Sequence, residues 1–142
     1  MTETMSRYDR LQRWADVLQQ RTALNLTPFR DVEWLPRSER DGVRTANSPL
    51  ALAYQDPVLR RAGLESDRFG DGAAFFGLSR GQAHRILCSC GYFGTMRSTE
   101  VARRIRSLAA RERLRLLWPD RLQPALARWL SRGFSIQAPE RG

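Results

Sequence analysis

The chain predicts an all-α fold, a single compact domain of about six to eight short helices, and three observations carry that reading. No run of alternating apolar and polar residues bounded by turns is long enough for a strand, whereas apolar residues recur three and four apart in several segments. Thr27-Pro28, Ser48-Pro49 and Asp56-Pro57 each set a capping side chain before a proline at a first helical position, where the missing N–H costs nothing. The chain has 142 residues, 42% hydrophobic and 27% charged, with no internal repeat, low-complexity tract or long Gly/Ser linker, which suits one core.

In chain order, Ser6 is placed to cap a helix from about Arg7 to Gln20, with Tyr8, Leu11, Ala15 and Leu18 on one face and Trp14 beside them. The three cap-proline pairs open short helices over Phe29 to Leu35, Leu50 to Gln55, and from Asp56-Pro57 to Gly63. One more helical turn is predicted after Ser38. Ser98 is read as the cap of a helix through Val101, Ile105 and Leu108 that ends before Pro119. A last helix, capped at Asp120 with Gln123, carries Leu122, Leu126, Trp129 and Leu130 and closes at Gly133; residues 135–142 form a frayed tail. Trp14, Trp34, Trp118 and Trp129 are expected in the core.

Residues 72–87, GAAFFGLSRGQAHRIL, hold the most informative local pattern. Gly77 suits the left-handed residue that ends a helix, and Ser79 with Gln82 three positions on forms a capping box, so the next helix starts at Arg80. Helix, tight turn and helix follow one another within this stretch. It resembles the helix-turn-helix of bacterial transcription regulators over about twenty residues: Ala73, Gly77, Leu78, Ala83 and Ile86 stand where that motif has its small residue, turn glycine and packing positions. The resemblance implies that the second helix enters a DNA major groove, with Arg80, Gln82, His84 and Arg85 toward the bases and Arg103, Arg104 and Arg106 on phosphates. The same residues also describe a corner between two core helices, with Phe75, Phe76, Leu78, Ile86 and Leu87 packed inside.

Charge sharpens the choice of partner. All 24 basic residues are arginine, for which the codon bias of a GC-rich genome is the simple source. Residues 1–72 carry 11 arginines and 11 acidic residues, whereas residues 73–142 carry 13 arginines and 4 acidic residues, so the whole excess of +9 lies in the second half. A one-sided positive field favours a polyanion: duplex DNA on the first reading, or an acidic protein surface on an alternative in which the chain is a helical adaptor or inhibitor. The sequence leaves a homodimer open.

Other chemistries find little footing. His84, Cys88 and Cys90 offer three ligands at a spacing foreign to the common zinc sites, so no metal or other cofactor is assigned. Cys88 and Cys90 are too close for a framework disulfide and are read as reduced thiols. One histidine, no phosphate-binding glycine loop and no G-x-S-x-G argue against an enzyme, and no catalytic residue is assigned. Without an apolar leader or membrane-length run, the expectation is a cytoplasmic protein with no membrane partner.

Overall fold

The computed structural model describes residues 4–21, 24–117, 124–125 and 127–129. Seven α-helices lie within residues 4–117, with two 3-10 turns and one two-stranded ladder, and the described residues from 124 to 129 are helical as well. Helix α1 (Arg7–Gln19) starts where its cap dictates, the Ser6 hydroxyl accepting from the Asp9 N–H at 3.1 Å. It lies antiparallel to α7 (Ser98–Leu117): Arg7 pairs with Glu112 at one end, and Arg106 with Asp16 farther along. Leu11, Trp14 and Leu18 of α1 and Val101, Ile105 and Leu108 of α7 are buried between the two and their neighbours.

The second and third cap-proline pairs act as expected. Ser48 Oγ accepts from Ala51 N–H to open α3 (Pro49–Gln55), and Asp56 accepts from Leu59 N–H to open α4 (Pro57–Arg61). Gly63, at φ 121°, then turns the chain out of α4. Asp56 also receives two hydrogen bonds from Arg13, at 2.7 and 3.0 Å. Burial works to raise the Asp56 carboxyl, but the guanidinium and the Leu59 N–H outweigh it and hold the group below its ordinary value.

The first pair behaves differently. Instead of a helix over Phe29 to Leu35, Phe29 is extended, its N–H donating to Leu87 O at 2.8 Å and its carbonyl accepting from Ser89 N–H at 2.9 Å. Its ring is fully buried, edge-on to Phe69 at 5.3 Å. Tertiary partners outbid a sound local start signal. What remains helical is a 3-10 turn at Val32–Trp34 after a left-handed Asp31. The turn expected after Ser38 is α2 (Arg37–Arg40), starting one residue before that serine.

Two further expectations change. Asn25–Leu26 (β1) pairs antiparallel with Met96–Arg97 (β2), a ladder too short to leave an alternating pattern in the sequence. Ser98 does not serve as a flanking cap: it is buried as the first residue of α7, and its hydroxyl donates to Arg21 O at 2.6 Å. Of the tryptophans, Trp14 is fully buried, Trp34 is 80% exposed and Trp129 is 62% exposed, so a core role holds for Trp14 alone among the described three. Trp118, most of the helix expected from Asp120 to Gly133, and the tail lie outside the described residues.

Candidate nucleic-acid interface

The corner quoted above consists of α5 (Phe69–Phe75) and α6 (Arg80–Leu87). Gly77 has φ +64°, and the bonds Leu78 N–H to Ala73 O (2.8 Å) and Gly77 N–H to Ala74 O (3.2 Å) close α5 in a Schellman motif. The capping box forms as predicted: Ser79 Oγ accepts from Gln82 N–H at 3.2 Å, and Gln82 Oε1 accepts from Ser79 N–H at 2.9 Å. Gly72, a weak helix former, is required by packing, since a Cβ there would stand 2.4 Å from Leu50 Cδ2.

Arginines from α1 finish α5. Arg10 donates to Phe75 O at 2.9 Å and lies over the Phe75 ring; Arg7 donates to Phe76 O at 3.0 Å and pairs with Glu112 at 2.8 Å. These cations meet the negative end of the helix dipole. The last four carbonyls of α6 are satisfied as well, by Cys88 N–H on His84 O, Arg104 Nη1 on Arg85 O, Tyr92 Oη on Ile86 O, and Phe29 N–H on Leu87 O. Arg104 reaches Gly91 O at 2.6 Å and Glu100 at 2.9 Å too, and its guanidinium lies 4.0 Å from the centroid of the Tyr92 ring. Burial raises the Tyr92 phenol above its ordinary value, so it stays a donor.

Arg104, expected from the sequence on a phosphate, thus fastens the end of α6. Arg104→Ala is expected to cost about 2 kcal/mol, through charge-assisted bonds lost to the Arg85 and Gly91 carbonyls, the second of them partly buried. Arg104→Lys should recover only part of this, because an ammonium does not span the same fork of acceptors. Thermal unfolding checks both, and a wild-type melting curve for Arg104→Ala would refute the role.

The other predicted contacts divide in the same manner. Arg80 and Arg85 are exposed on α6, and Arg103 is 73% exposed on α7, 3.7 Å from Glu100. Gln82 spends its amide oxygen on the cap, with Arg7 Nη2 also 3.4 Å away, which removes the oxygen a bidentate adenine contact needs. His84 is half-buried and its Nε2 is enclosed without a hydrogen-bond partner among the described residues. Arg106 turns to α1, bonding Asp16 at 2.7 Å and Gln19 at 3.3 Å. Of the predicted set, Arg80, Arg85 and Arg103 are exposed, whereas Gln82, His84, Arg104 and Arg106 are partly buried against the fold.

Helix α6 forms a wall shared by two grooves. One, of about 440 Å3, runs between α6 and α2 past Arg37, Arg40, Arg80 and His84, with Asp41 also in its lining. The other, of about 600 Å3, lies between α6 and α7; Arg85, Arg103, Arg104 and Arg111 line it with Ile86, Leu108 and Phe93, and no acidic residue does. Arg111 and Phe93 were not among the sequence candidates. The stripe Arg103, Ser107, Arg111, spaced by four along α7, was the available signal for the first. Burial, and then the positive charge of Arg85, lower the Arg111 guanidinium from its ordinary value, as expected of cations gathered on one surface.

Cys88 is buried and Cys90 exposed, both free, and burial pushes the Cys88 thiol up to about 12, far from a reactive thiolate. No cluster of three or more His, Cys, Asp or Glu side chains able to hold a metal ion occurs among the described residues. No helix among them is long and apolar enough to cross a membrane. Compared with protein-family models, with curated proteins and with solved structures, the chain gives no match.

Proposed function

We propose that this chain is a non-enzymatic DNA-binding protein that presents α6 to the major groove of a duplex. The observation that carries the reading is the position of α6 as a wall between two arginine-bordered grooves, with Arg80, Gly81 and Arg85 exposed along it. An α-helix with its side chains is about 10 to 12 Å across, close to the width of a B-DNA major groove, and the eight residues of α6 run about 12 Å along its axis. In this arrangement Arg80 and Arg85 reach base edges, while Arg103 and Arg111 engage phosphates on the flanking strand. Gln82, Arg104 and Arg106 serve the fold.

A titration against mixed-sequence duplex DNA at several salt concentrations tests this reading. Two phosphate contacts, Arg103 and Arg111, give a log–log slope of about −1.8, and Arg103→Ala should reduce its magnitude by about 1 while weakening all sequences alike. Arg85→Ala should relax preference at one position of a selected site by about 1 to 3 kcal/mol. Absence of duplex binding at low salt refutes the proposal. Capture of an acidic peptide that Arg85→Ala abolishes, with no effect of that variant on base preference, would hand the surface to the adaptor reading.

A further inference from the structure

Phe93 is the most exposed large apolar side chain among the described residues, at 105% relative exposure, and it stands at the lip of the α6–α7 groove. Its place is fixed by the backbone on either side. A Cβ at Gly91 would lie 2.8 Å from Arg85 O, so only glycine lets this loop run close against the end of α6. Gly94, at φ +79°, turns the chain away again. Between the two glycines Tyr92 is anchored inward by its bond to Ile86 O, and Phe93, the next residue, is left outside.

An exposed ring beside a cationic groove meets the needs of one ligand class closely. A carboxylate would satisfy the arginines and leave the ring in water, whereas a nucleotide brings a phosphate for the guanidinium groups and a flat π-face for the ring. Inside a duplex both faces of a base are covered by its neighbours and its edge is held by its pair, so a single base that enters a groove with a free face is unpaired. The groove, at about 600 Å3, lies within the range of small-ligand sites. Its floor is apolar at Ile86 and Leu108, and its lining holds no carboxylate to repel a phosphate. We propose that this groove holds an unpaired nucleotide of the bound DNA, its base stacked on Phe93 and its phosphate held by Arg103 and Arg111. The substrate class becomes duplex DNA next to unpaired nucleotides, a junction or an end with an overhang, and in this form the inference rests on the DNA-binding reading above.

The test compares three DNAs of one sequence: a blunt duplex, the same duplex with a short single-stranded extension, and that extension with abasic sugars in place of its bases. The wild-type protein should bind the extended duplex about tenfold more tightly than the blunt one, and the abasic extension should lose that gain. Phe93→Ala should abolish the same factor while leaving blunt-duplex affinity and the melting temperature unchanged, and Phe93→Trp should keep it. Equal losses on blunt and extended DNA, or an abasic extension bound as tightly as the intact one, would overturn the stacking role. Blunt binding that persists while the extension adds no Phe93-dependent affinity refutes this inference alone, while absence of binding to every DNA refutes the proposed function with it.

Discussion

Trp14→Ala is expected to lower the unfolding free energy by about 4 to 5 kcal/mol, near the upper end for emptying a buried aromatic site. Three losses combine in that figure. The indole is fully buried between α1, α3 and the end of α5, so its removal leaves a large void in the core. Its ring stacks on Phe76 with centroids 4.0 Å apart and planes 13° from parallel, and that pairing adds to simple burial. Its Nε1–H donates to Pro49 O at 3.0 Å, so truncation also takes the indole donor from that buried carbonyl. A melting midpoint lower by about 10 to 15 °C is the expected readout for a chain of this size. Trp14→Phe, which keeps a stacked ring and loses the donor, should fall much less. A loss of less than about 2 kcal/mol in the alanine variant would mean that this is not the centre of the core.

Gly77→Val is expected to cost about 3 kcal/mol, because a β-branched residue is forced to positive φ in the turn between α5 and α6. Sterics compound the backbone strain: a Cβ at this position would stand 2.7 Å from Arg7 Nε, the atom that donates to Phe76 O. The valine therefore also disturbs an arginine that joins α1 to the corner and to Glu112. Gly77→Asn, which tolerates the left-handed region, should retain more of the stability, although its Cβ still presses on Arg7. Chemical denaturation of the two variants checks the order, and a valine variant as stable as the wild type would contradict the left-handed turn.

These two sites differ in how visibly the sequence announced them. The starts at Ser6, Ser48, Asp56 and Ser79, and the left-handed Gly77, were legible because a cap and its N–H lie three residues apart, so the chemistry is local. Thr27-Pro28, before Phe29, is an equally good local signal that misleads, because Leu87 and Ser89 claim the Phe29 backbone from far along the chain. Residue type alone puts Trp34 in the core, yet the short 3-10 turn after Asp31 leaves it in solvent. For the site, spacing identified α6 and the basic character of α7 but could not say which arginines face outward. Arg103, Arg104 and Arg106 are near neighbours in sequence with three destinations: solvent, the end of α6, and α1. Net charge counts all three alike, whereas an exposed guanidinium in one loose surface pair, as in Arg103, is more available to a polyanion than one held by several short bonds.

The end of α6 closes through partners drawn from residue 29, residue 92 and residue 104 as well as from the helix itself. This makes α6 a poor candidate for transplantation. A peptide covering residues 69–91 would carry the letters of the corner without Phe29, Tyr92 or Arg104, and its last carbonyls would turn to water. Moved into another scaffold, the segment would need those three groups rebuilt around it before its outward arginines pointed in fixed directions. The unit that can be borrowed, or that duplication and recombination could pass on intact, is the whole domain.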